Sequence, residues 1–211
     1  LFKKEWLKYI WLDQIPKAQV TALRRAIEET LELGWFGAAQ RQSLTGLAAG
    51  LYPLHPTVLP VLIRCFRRFG QNERSLFSFL LSNEPFGLQA FCEQRLNDAP
   101  PYRLHDLFDY VRTNFGHRLG VQSYRSHWSL IESVIESYAT DEPLRIQALK
   151  TVGILNLLND DLLATEQSVV CAIAGDDLAL QRQVKAALEK LHKVSRVLYD
   201  RGRGRGLCLW P

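Results

Sequence analysis

The sequence of 211 residues lacks methionine altogether and begins at Leu1, so it is expected to be a piece of a longer protein. It has no run of about 18 apolar residues, and no membrane partner is expected. The four cysteines, Cys65, Cys92, Cys171 and Cys208, show no CxxC spacing. That removes the basis for a zinc ribbon or a disulfide framework and points to a reducing, cytoplasmic setting. Residues 1–12, LFKKEWLKYIWL, are basic and apolar but lack a long apolar region and a small-residue cleavage site, so they read as an amphipathic helix rather than a targeting segment.

Catalytic signatures are missing as well. There is no GxxxxGK[ST] phosphate loop, no GxSxG, no HExxH and no glycine-rich dinucleotide turn. The five histidines, His55, His105, His117, His127 and His192, do not pair at i, i+4 spacing on one helix, and the adjacent Asp160 and Asp161 read as a solvated helix stop. An autonomous enzyme and a bound metal are therefore not expected.

What is present is globular: 47% hydrophobic and 23% charged residues suffice for one or two compact domains and exclude a disordered tail. Helical periodicity dominates. Leu23, Ile27, Leu31 and Leu33 recur at helical spacing up to Gly34, and 34–50 reads as a loop with one short helix. Pro53 and Pro56 lead into an apolar face of Val58, Leu59, Leu62, Ile63 and Phe66 that ends at Gly70. A helix from about Asn72 turns Leu76, Phe77, Leu80 and Leu81 inward; further helices are expected over 104–115 and 126–138.

The turn-rich ATDEP of 139–143 marks a domain boundary, giving an N-terminal helical segment (1–50), a helical domain (51–139) and a C-terminal domain (140–211). In the last, helices are expected over 144–158, 165–175 and 177–194, followed by the β-prone runs RVLY and LCLW around DRGRGRG. Three helices followed by a hairpin is the order of a winged helix-turn-helix, whose third helix faces outward for recognition. The expected fold is thus mainly α, a helical bundle followed by a winged helix with a C-terminal β-hairpin.

Charge is distributed unevenly. Residues 181–211 carry eight basic and two acidic side chains, so this stretch is +6 in a chain of net charge +4 and the rest is net acidic. Arg201, Arg203 and Arg205 alternate with glycines in the turn, and Arg182 and Lys185 open the third helix; these five are the candidate contacts to double-stranded DNA. The competing reading is a soluble hairpin tip whose charges prevent edge aggregation. A second basic group, Arg64, Arg67 and Arg68, lies along one side of the 58–69 helix, with Arg74 in the first turn of the next. Arg74, Arg67 and Arg68 suit a phosphate supplied by a neighbouring domain. Ordinary ion pairs with Glu73, Glu84 or Asp106 are the alternative.

LYPLHPTVLPVLIRCFRRFGQNERSLFSFLLS, YRLHDLFDYV, LRIQALKTVGILNLLNDD and LEKLHKVSRVLYDRGRGRGLCLW together resemble the region that follows the nucleotide-binding core in large bacterial AAA+-like and STAND-like ATPases, several of which occur in phage-defence or regulatory operons. Gly70 to Arg74, G-x-x-x-R, is similar to the lid-helix element of origin-recognition initiator ATPases, in which an arginine senses the γ-phosphate. The resemblance implies a lid (51–139) and a winged helix cut from an ATPase whose ATP-binding core lies elsewhere. Arg74, with Arg67 or Arg68 as substitutes, would reach ATP, and nucleotide state would move the winged helix. A DNA-binding regulator without ATPase ancestry, or a module for a protein partner or homo-oligomer, are the rivals.

Overall fold

The structure, a computed structural model, describes residues 17–46, 48–70, 73–94, 100–121, 125–138, 142–158, 162–202 and 204–210. The amphipathic helix expected over 1–12, the Asp160–Asp161 turn and Arg203 lie outside the described residues. The chain is mainly helical, with a small antiparallel two-stranded sheet near its C-terminus. In order come α1 (Lys17–Glu32), α2 (Ala38–Thr45), α3 (Ala48–Leu51), α4 (Val58–Phe69), α5 (Glu73–Leu81), α6 (Leu88–Gln94), α7 (Leu104–Val121) and α8 (Arg125–Ser137). They are followed by α9 (Pro143–Leu158), α10 (Glu166–Ala174), α11 (Leu178–Lys193), β1 (Leu198–Asp200) and β2 (Leu207–Leu209).

Helices α7 and α9 form the centre. From Ala148 to Leu158 every residue of α9 except the half-buried Lys150 is buried, because neighbours surround it: α4, α7 and α8 from the N-terminal part of the chain, α10, α11 and β2 from the C-terminal part. A helix apolar around its whole circumference is stable only in such an environment. Gly153 marks its tightest crossing, since a side chain there would meet Ile131 Cγ2 at 2.8 Å and Phe108 Cε2 at 3.5 Å. One apolar cluster, from Ile27 to Leu209, takes in residues from both sides of the boundary expected at 139–143. A half-buried ion pair, Lys150 Nζ to Asp109 Oδ2 at 2.7 Å, adds a polar link between α9 and α7.

An aromatic group locks α4, α5 and α7 together. Phe66 meets Phe79 and Phe115 edge-on at 5.9 and 5.8 Å, and Phe79 meets Tyr110 at 5.0 Å, the arrangement that ring quadrupoles favour. Tyr110 donates its hydroxyl hydrogen to Glu84 Oε2 at 2.7 Å.

Several sequence expectations need correction. Phe77, read as inward, is 60% exposed, and Leu81 and Ile63 are also on the surface. The buried stripe of α5 instead centres on Ser75 and Phe79. The local pattern of four hydrophobic residues fits two helical phases, and the aromatic cage around Phe79 selects one. Segment 34–50 holds two short helices rather than one, α6 was not expected, and α7 continues six residues past the anticipated end at Phe115. The strands are also shorter than RVLY and LCLW, since Val197 and Trp210 lie just beyond them.

Candidate functional site

The C-terminal helices are built by local chemistry. Thr165 caps α10: its Oγ1 accepts from Ser168 N at 3.0 Å, while Ser168 Oγ accepts from Thr165 N at 2.8 Å. The turn to α11 is three residues long, Gly175–Asp177, and Asp177 Oδ1 accepts from Ala179 N and Leu180 N at 2.9 and 3.0 Å. Val184, Ala187, Leu188 and Leu191 bury one face of α11. Its outer face presents Arg182, Lys185, Glu189 and Lys193; Lys185 lies 3.7 Å from Glu166 and Lys193 pairs with Glu189 at 2.7 Å.

The hairpin pairs Leu198 with Leu209, Tyr199 with Cys208 and Asp200 with Leu207. Its turn is closed by Arg201 N to Gly206 O at 3.0 Å and Arg205 N to Gly202 O at 3.1 Å. Gly202 and Gly204 are exposed, with positive φ, and Arg205 beside them is exposed too.

Two contacts outside the ladder seat the hairpin. Leu207 N donates to Ala164 O at 2.6 Å, so the connector between α9 and α10 runs beside β2. Asn156 on α9, 6% exposed, donates from Nδ2 to Leu207 O at 2.9 Å and accepts at Oδ1 from Leu209 N at 3.1 Å. One amide side chain thus substitutes for a neighbouring strand.

Because side chains alternate along strands, Tyr199 and Cys208 share the face opposite Leu198 and Leu209. Tyr199, Arg201 and Trp210 form one wall of a groove of about 760 Å³, and Ser126, His127 and Leu130 of α8 form the other. Tyr199 and Trp210 are 60% and 62% exposed. Burial lowers the pKa of His127, and the guanidiniums of Arg201 and Arg68 lower it further.

The remaining arginines do not converge. Arg67 is exposed on the last turn of α4. Arg68 donates to Leu158 O at the end of α9. Arg74, exposed on α5, lines a separate cavity of about 310 Å³ with Arg118, Glu84, Tyr110 and Asn114. Arg118 was not singled out from the sequence; its Nη1 donates to Phe69 O at 3.2 Å.

A buried polar group joins the helical body to the α10–α11 turn. Arg103 Nη1 donates to Ala172 O at 2.9 Å, and a side chain at Gly175 would come within 3.6 Å of His55 Nε2. His55 is 1% exposed; its Nδ1 lies 2.8 Å from Thr57 Oγ1, and Nε2 has no partner among the described residues. Burial, then the charge of Arg103, holds the His55 pKa well below its ordinary value. A histidine kept neutral in the fold lends stability that is complete above its unfolded value of about 6.5 and is lost as pH falls below it. His127 acts in the same direction, whereas Glu29, raised from 4.5 by burial, acts in the opposite one. Unfolding free energy from denaturant titration is therefore expected to drop by roughly 1–2 kcal/mol between pH 7.5 and pH 5.5. A flat profile contradicts this account.

Among the described residues no group of three or more His, Cys, Asp or Glu side chains is placed to hold a metal, and no helix is long and apolar enough to cross a membrane. Comparison with known protein families, characterised proteins and solved structures finds no match to this chain.

Proposed function

We propose that residues 140–211 form a winged helix-turn-helix that contacts double-stranded DNA, with α11 as the recognition helix and the glycine-arginine turn as the wing. The observation that carries this reading is the bond from Leu207 to Ala164: it sets the α9–α10 connector beside β2, where a winged helix has the third strand of its small sheet. The three-residue Gly175–Asp177 turn has the length and the glycine of a helix-turn-helix. Arg182, Lys185, Arg201 and Arg205, with Arg203 from the sequence, supply the positive charge that meets phosphates.

Binding of the chain to a duplex, followed by fluorescence anisotropy, tests this. Affinity is expected to fall steeply with salt, and alanine at Arg201, Arg203 and Arg205 is expected to weaken it at least ~10-fold and to reduce the log–log salt slope by about 3. Unchanged affinity and slope in that variant defeat the proposal and favour a protein partner or self-association.

A second reading has its own support in the cavity shared by Arg74 and Arg118. Two guanidiniums at one opening suit a phosphate, consistent with a lid that senses ATP held by a nucleotide-binding core. On that reading the chain is the effector half of a AAA+- or STAND-like ATPase, a layout used in phage defence, and the lid hands nucleotide state to the winged helix. Ala172, whose carbonyl accepts from Arg103, and Gly175, where a side chain would meet His55, lie on the route by which such motion would reach α11. In a polypeptide that includes the core, Arg74→Ala is expected to cut ATP turnover; unaltered turnover removes this role.

A further inference from the structure

We propose that the groove between the hairpin and α8 binds unstacked bases of single-stranded nucleic acid, with Tyr199 and Trp210 as stacking platforms and Arg201 on the backbone phosphate. The inference rests on the hairpin facing nucleic acid, as argued above, but not on duplex recognition.

The exposure is concentrated. Two large aromatics, each more than half open to solvent, border one groove instead of contributing to the core beneath. Leu198 and Leu209, the second of which also lines the groove, are buried and supply the packing of the hairpin, so the fold does not require aromatic rings at 199 and 210. An aromatic ring face offers a base a stacking surface, and duplex bases, already stacked on one another, have no free face to accept it.

Charge separates a nucleic acid from an apolar peptide. Among the described residues no carboxylate lines the groove, whereas Arg201 does and Arg125 is exposed at the start of α8. Asp200 is turned to the opposite face and accepts from Gly202 N at 2.8 Å. A groove with aromatic walls and a basic edge fits a polyanion whose repeating unit carries a planar ring. Placed beside the wing, it would take a strand that frays from a duplex held by α11.

The test uses the whole chain and a fluorescein-labelled oligothymidylate of about 12 nucleotides, a length within the range one small single-strand-binding fold covers. Tyr199→Ala and Trp210→Ala are each expected to weaken single-strand binding ~10-fold, and Trp210→Phe to stay within about 3-fold of the parent. Both side chains are exposed, so thermal melts of the variants are expected to match the parent and exclude unfolding as the cause. A blunt duplex of equal length is expected to bind all three variants as it binds the parent.

The proposal is overturned if the parent ignores the oligothymidylate at low salt, if the alanine variants bind it normally, or if they lose duplex binding to the same degree. Single-strand binding that persists while duplex binding is absent defeats the winged-helix reading and leaves the groove assignment standing.

Discussion

Asn156→Leu is expected to destabilise the fold by about 2–6 kcal/mol and to release the hairpin from α9. The asparagine spans β2 with both ends of its amide, donating to Leu207 O and accepting from Leu209 N, at a position that is 6% exposed. Leucine is of comparable size and keeps the contact filled, so the loss is chiefly electrostatic: two backbone groups remain buried without partners, at about 1–3 kcal/mol each. Since whole domains are stable by only about 5–15 kcal/mol, the effect is large. Denaturant titration measures the total. Faster amide exchange at Leu207 and Leu209, with α7 unchanged, would localise it. Asn156→Asp adds a sharper check. The carboxylate accepts from Leu209 N but cannot donate to Leu207 O, so this variant is expected to recover stability as acid protonates it. A loss under 1 kcal/mol in Asn156→Leu contradicts the bridging role.

Gly206→Ala is the second large effect. Gly206 has φ +77°, a conformation that costs residues with a Cβ about 1–2 kcal/mol. The methyl group would also stand 2.8 Å from Ala164 O and 3.3 Å from Ala164 C, both backbone atoms that a rotamer change cannot move. Strain and clash together are expected to cost about 3 kcal/mol, within the range of overpacked sites. Because the clash pushes β2 away from the α9–α10 connector, the bond from Leu207 to Ala164 is lost with it. Gly204→Ala is the control: its φ is +72°, but open space surrounds it, so only the conformational cost applies. Equal melting temperatures for the two variants would show that the seat against Ala164 carries no weight.

These two sites show what could and could not be read from the sequence. The glycines of the turn announce a reversal of chain direction between two β-prone runs, and both Gly202 and Gly204 lie exposed in it. Nothing in the neighbourhood of Gly206 announces Ala164, 42 residues earlier, and nothing near Asn156 announces that its amide substitutes for a strand. Arg68 is similar. Its spacing beside Arg67 gave it a place on a basic helix face, but its guanidinium crosses to the Leu158 carbonyl, the kind of helix-end partnership that sequence spacing does not encode. The groove is the clearest case. Ser126, His127 and Leu130 face Tyr199 and Trp210 only because α8 and the hairpin both pack on α9, and the sequence alone marks neither aromatic as exposed.

The sequence by itself determined the helical character, the order of three helices followed by a hairpin, and the concentration of positive charge after residue 181, because periodicity, turn chemistry and charge are local properties. The tertiary structure decided which phase of an ambiguous apolar stripe is buried, which arginines are engaged by helix ends, and where the aromatic groove opens. Each of those depends on packing between segments far apart in the chain, where a side chain's surroundings are set by its neighbours in space rather than by those in sequence.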